Sequence, residues 1–230
     1  MPPLPFHLEK SRRILLCGPL LVLTLLAPCC LRAQRPTAAL EPFAPPASSS
    51  KPIPTHTFHD PVYHLSFDYP ANWTFAHSDR EISTFRLDAR SAAKSTALRA
   101  VVAMPENPFP SSTFSGAYVY FSASPHSSAS ACEKQATSPT PHARVAKLGP
   151  ATIADIRFTH GHDEQRDICT TQRDEVYTTL HGGACLRFDL AINNFCGGEV
   201  SGVKDITSKE LDAVRSRLES ILATLRFDPR

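Results

Sequence analysis

The residues with the most chemistry to offer are its cysteines and one histidine–carboxylate run. Seven Cys occur. Cys17, Cys29 and Cys30 lie in an N-terminal segment that reads as a removable leader, which leaves Cys132, Cys169, Cys185 and Cys196. No Cys-x-x-Cys pair is present, so the local knuckles of a four-Cys zinc site are missing. His160-Gly161-His162-Asp163-Glu164, followed by Asp167, is the densest polar constellation. On a strand His160 and His162 share a face, and with Asp163 or another nearby carboxylate they offer zinc or copper a donor set. The competing reading is a solvated turn rich in Gly and charge. His56, His59 and Asp60 form a second, looser group, and Asp79-Arg80-Glu81 reads as a charged turn.

Other chemistries lack their residues. Gly198-Glu-Val-Ser201-Gly has its serine one place late for a nucleophile elbow. No phosphate-cradling glycine loop exists, and His-Glu-x-x-His is absent. A secreted hydrolase stays as an alternative, because triads assemble in space, but nucleophile, base and orienter cannot be placed together. The expected class is therefore non-enzymatic. With 24 basic and 22 acidic residues the formal net charge is +2, which excludes nucleic-acid binding of the electrostatic kind. Tyr118, Tyr120 and Phe121 then read as sheet core, not as a platform for bases.

The compartment is read from the N-terminus. Lys10, Arg12 and Arg13 precede an apolar run, Ile14 to Ala27, too short for a spanning helix. Residues 1–33 are expected to be a signal peptide cut after Ala33, with no membrane span once it is gone. An uncleaved anchor is the alternative. So is lipidation at Cys29, although Pro28 stands where the processing box Leu26-Ala27-Pro28-Cys29 wants a small residue. Losing four basic residues and one acidic residue takes the mature chain to 20 basic and 21 acidic, net −1. Residues 34–57, with six prolines and Ser48-Ser49-Ser50, are expected to be an extended linker. The domain should occupy 58–230.

Within the domain, Tyr63, Leu65, Phe67 and Tyr69 alternate with polar residues, so a strand is expected there. Further strands are expected at 82–88, 97–104, 117–123, 151–159, 166–180 and 184–192, with a short helix over 128–136. His181-Gly182-Gly183-Ala184 suits a two-residue hairpin turn. That register sets Leu180 opposite Cys185, Tyr177 opposite Phe188, and Cys169 opposite Cys196. An exported protein matures where thiols oxidise. The expected bonds are Cys169–Cys196, at a non-hydrogen-bonded pair of strand positions, and Cys132–Cys185. The second pins the short helix to the sheet face away from Leu186 and Phe188. A single bridge with two thiols left over is the alternative. Thr207-Ser-Lys-Glu210, flanked by Ile206 and Leu211, is a capping box with a hydrophobic staple. Leu211, Val214, Leu218, Ile221, Leu222 and Leu225 then recur on one helical stripe.

Tyr63-His-Leu-Ser-Phe-Asp-Tyr-Pro70-Ala-Asn-Trp73 resembles the opening of PsbP-like domains, and Leu211 to Phe227 resembles their closing helix and strand. The resemblance implies an α+β fold, an α/β/α sandwich around a central antiparallel sheet with the C-terminal helix packed on it, and a docking style of use. The family's calcium and chloride role does not carry over, because no metal-site positions match. Function is expected to be that of an exported binding or accessory domain of the cell envelope. It would be periplasmic or extracellular and dock to an envelope protein through loop 105–116 or a sheet edge. No cofactor is expected beyond the divalent metal of the His160/His162 alternative.

Overall fold

The computed structural model describes residues 53–82, 90, 96–137, 146–197 and 202–228. The expected signal peptide, the lipidation-box alternative, nearly all of the expected linker and the 83–88 part of one expected strand lie outside the described residues. The chain divides into Met1–Ser49 and Ser50–Arg230, and all that follows concerns the second unit.

The described residues of that unit form ten strands and three helices. The strands are β1 (Thr55–Asp60), β2 (Leu65–Pro70), β3 (Thr74–Ala76), β4 (Ala97–Ala103), β5 (Phe114–Ser124), β6 (Ala146–Ile153), β7 (Ile156–Arg166), β8 (Thr170–His181), β9 (Ala184–Phe195) and β10 (Arg226–Phe227). The helices are α1 (Asp79–Ile82), α2 (Ala129–Thr137) and α3 (Ser208–Leu222). Seven strands form an antiparallel sheet in the order β3-β4-β5-β9-β8-β7-β6. Helix α3 covers one face and α2 the other, so the α/β/α sandwich holds. A second sheet, β1-β2-β10, lies beside α3 and adds Phe58, Leu65, Phe67 and Tyr69 to the same core. Strand β1 begins at Thr55, inside the stretch expected as linker, because its residues pair with β2 from Pro70 back to Leu65.

The core follows period two. Leu186, Phe188, Leu190 and Ile192 of β9 point to the α3 face and meet Val214, Leu218, Ile221 and Leu222. Phe121 stacks on Phe188 at 4.9 Å between ring centres. Helix α3 starts where its cap dictates. The Thr207 amide donates to Glu210 Oε2 at 2.8 Å, and the Glu210 amide donates to Thr207 Oγ1 at 3.3 Å. Ile206 and Leu211 both pack on the core as the staple requires.

Two turns explain the register. Gly182 and Gly183 take positive φ, 59° and 80°, and β8 and β9 pair with Tyr177 opposite Phe188 and Leu180 opposite Cys185. The segment expected as one strand over 151–159 is instead broken. Ala154 and Asp155 both adopt positive φ, 50° and 60°, and turn β6 into β7. Asp tolerates that region and Ala does so only under tertiary constraint, so no Asn-Gly-like signal marks it. The polar run at 160–164 is thereby moved from a turn to the middle of β7.

The described cysteines form Cys132–Cys185 and Cys169–Cys196, with Cα separations of 5.3 and 4.9 Å. One detail differs from expectation. The Cys196 amide donates to the Cys169 carbonyl at 3.1 Å, so this bridge spans a hydrogen-bonded position.

Candidate functional site

Side chains of β7 and β8 alternate between the two sheet faces, and that alternation sorts the candidate residues. His160, His162 and Glu164 face the α3 side, opposite Tyr177, Glu175 and Arg173 respectively. His160 Nε2 lies 2.8 Å from Glu175 Oε2, and His162 Nδ1 lies 2.8 Å from Glu175 Oε1. A carboxylate only accepts, so each of these nitrogens carries the hydrogen. The His160 ring stacks on Tyr177 at 4.1 Å with an interplanar angle of 10°. From α3, Arg215 Nε approaches Glu175 Oε1 at 3.5 Å. Arg173 pairs with Glu164 at 3.2 Å and donates to Asn194 Oδ1 at 2.6 Å.

Asp163 does not belong to this group. It sits one residue out of phase, opposite Asp174, on the α2 side of the sheet, where it is buried. The expected set of His160, His162 and Asp163 therefore cannot converge on one ion. Among the described residues no group of three His, Cys, Asp or Glu is placed to hold a metal. Glu175 is the carboxylate between the imidazoles. The sequence does not single it out because the turn at 167–169, which sets the β7–β8 register, lies inside the segment expected as one strand over 166–180.

The electrostatics of the cluster are closed on themselves. Burial alone would raise the Glu175 carboxyl, but the hydrogen bonds and positive charge of His160 and His162 bring it down to about 2. The hydrogen bond to Glu175 raises His162 against the opposing effect of burial. Burial pushes the Tyr177 phenol up. Glu175 is thus ionised at neutral pH with both oxygens engaged, which does not suit a proton-accepting base. Its effect is to tie β7, β8 and α3 together.

The sign of the linkage follows. Glu175 stabilises the fold above about pH 4.5, and that contribution is lost as pH falls toward 2. His162 stabilises the fold below about pH 6.5, and its contribution is lost as pH rises through its raised value. Glu175→Gln is expected to cost about 2 kcal/mol near pH 6 and to flatten both limbs. Denaturant melts from pH 3 to 9 check this. A variant with the same pH profile as the parent would dissociate the cluster from stability.

The α2 face carries a second polar group that sequence reading passed over. Arg187 is 1% exposed and Asp189 fully buried. The Arg187 guanidinium grips both oxygens of Asp189, donates to the Gln135 carbonyl of α2 at 3.1 Å and lies 4.0 Å from Asp174. Arg187 and Asp189 alternate with Leu186, Phe188 and Leu190, so they lie on the face that α2 covers.

An opening lies at the far end of the same sheet. A hollow of about 440 Å³ is lined by the Cys169–Cys196 bridge, Thr113, Arg173, Asn194 and Ile206, among others. Ile168, at the β7–β8 turn on its rim, is fully exposed. The loop expected to dock, 105–116, reaches only to Thr113, since Phe114 already belongs to β5. It is held by Asn107 Nδ2, which donates to the Phe114 carbonyl at 3.1 Å, and by a bridge from Ser112 to Lys204 beside the hollow. Phe109 turns inward onto the core.

No family model and no curated protein matches the chain. Solved structures do. The chain is similar to cyanobacterial PsbP from Synechocystis sp. PCC 6803, at 11% identity and a TM-score of 0.39, over 82% of this chain and 100% of that one. This is the family whose opening and closing motifs the sequence resembles. It is also similar to LpqN of Mycobacterium tuberculosis, a protein involved in cell envelope biogenesis, at 11% identity and a TM-score of 0.38, over 76% of this chain and 91% of that one. A third similar structure, from Bacteroides thetaiotaomicron, gives 15% identity and a TM-score of 0.36, with 76% of this chain spanning 48% of its length.

Proposed function

We propose that the chain is an exported, non-enzymatic accessory domain of the cell envelope that docks to a protein partner at the end bearing Ile168. One observation supports this above the others: Ile168 is a fully exposed apolar side chain on a turn fastened by a disulfide. A fixed side chain loses little conformational freedom on binding, and covering it removes apolar surface from water. The neighbouring loop 105–113 and the hollow extend the surface. The β6 edge is a poorer dock. It carries Pro150, a register shift between Lys147 and Gly149, and Lys147 paired with Glu133 at 2.7 Å, all of which discourage strand addition. The two disulfides favour an oxidising compartment. Among the described residues no helix is long and apolar enough to cross a membrane.

The test is capture from an envelope extract with the parent and with Ile168→Asp. The substituted side chain is in solvent, so stability should stay within about 0.5 kcal/mol, while partner recovery should fall at least tenfold. Equal recovery by both proteins would remove this end of the domain from the docking surface.

A further inference from the structure

The two disulfides occupy opposite environments. Cys132 is 2% exposed and Cys185 is fully buried under α2. Cys169 and Cys196 are half-buried, and their bridge forms part of the wall of the 440 Å³ hollow. We propose that Cys169–Cys196 is a site of thiol–disulfide exchange with a dithiol, and that Cys132–Cys185 is a sealed structural bond.

Access decides which disulfide an incoming thiolate reaches, because attack requires in-line approach to a sulfur. The hollow gives that approach to Cys169–Cys196 without unfolding. Cys132–Cys185 lies between α2 and the sheet, next to the Arg187 cluster, so a thiolate meets it only after α2 has opened. The exchange balances in two steps. One thiolate of the dithiol attacks a cysteine sulfur, the S–S bond breaks, and the other cysteine leaves as a thiolate that takes up a proton. The second thiol of the reagent then attacks the mixed disulfide and releases the remaining cysteine. The protein gains two thiols and the dithiol becomes a disulfide.

The consequence of reduction is local. The crossover after β9 keeps its own ties: the Phe195 amide donates to the Thr113 carbonyl at 2.9 Å, the Thr113 amide to the Lys204 carbonyl at 2.9 Å, and the Ile206 amide to Thr113 Oγ1 at 3.0 Å. Among the described residues, the turn at 167–169 keeps the Asp167 amide bonded to the Thr170 carbonyl at 2.9 Å and the Cys196 amide bonded to the Cys169 carbonyl. Reduction therefore releases the Ile168 turn and leaves the rest in place. Its bearing on docking rests on the reading of Ile168 given above; the exchange itself does not.

Graded dithiothreitol, followed by alkylation and mass spectrometry of the purified oxidised protein, tests the proposal. Cys169 and Cys196 should be labelled at least about 100-fold faster than Cys132 and Cys185, the difference between a surface reaction and one that waits for opening. Parallel labelling of the two pairs, or labelling of Cys132 and Cys185 first, would overturn it. A second measurement is amide exchange on Cys169→Ser/Cys196→Ser. Protection should fall at 167–171 and persist in β5, β9 and α3. General loss of protection would show that the bond is structural too. Both readouts are independent of partner capture.

Discussion

Arg187→Met is expected to destabilise the domain by about 3–5 kcal/mol, the cost of removing one partner from a buried ion pair. The guanidinium is the counter-charge to Asp189, which has no exposed surface, and lies beside the equally buried Asp174. Methionine fills most of the volume but leaves Asp189 without a donor. The α2 backbone also loses the bond at Gln135 that helps hold the helix to the sheet. Urea denaturation at pH 7 gives the number. Arg187→Met/Asp189→Leu should recover at least half of the loss, since a buried pair replaced by apolar groups is often neutral. A single variant within about 1 kcal/mol of the parent would show that Asp189 draws its stabilisation from elsewhere.

Removing the sealed bond with Cys132→Ala/Cys185→Ala should cost about 4 kcal/mol, from closing a loop whose ends are 53 positions apart. The loop spans β6, β7 and β8, so the unbridged chain gains a long excursion to sample. Helix α2 is short and exposed over much of its surface, with Cys132 and Ala136 as its buried residues. Without the bond it has little apolar area to hold it. Calorimetry should show the melting point falling by at least about 8 °C, and amide exchange should show α2 losing protection first. A fall of under 2 °C would mean that the Arg187 network alone holds the helix.

Much of this architecture was legible because particular residues admit few conformations. Gly182-Gly183 fixes the β8–β9 turn, and the turn fixes which residues oppose each other down both strands. Thr207 and Glu210 fix the start of α3, and the stripe from Leu211 to Leu225 fixes its buried face. The pairing of Cys185 with Cys132 contained a further message that pattern reading alone does not extract. A helix bonded to the outward face of β9 must cover Arg187 and Asp189, so their alternation with Leu186, Phe188 and Leu190 does not signify water. Three things were not legible. The Ala154–Asp155 turn sets one turn-favouring residue, Asp155, beside an alanine, so no Asn-Gly-like pair marks it. Glu175 lies within an unremarkable polar alternation and gains meaning only from the strand beside it. The closing strand was expected from the resemblance at Leu211 to Phe227, but two residues are too short for any periodicity to announce that they pair with β2.

The β1-β2-β10 sheet has a consequence for how the chain folds. Arg226 and Phe227 complete β2, and Arg226 binds Asp68 across 158 positions at 2.8 and 2.9 Å. Thr224 likewise receives the Asp68 amide at 2.7 Å. Strands β1 and β2, although adjacent in the chain, must therefore wait for residues 224–227 before their sheet can close. Non-local pairing of this kind forms late, because the long loop between its partners has to be closed first.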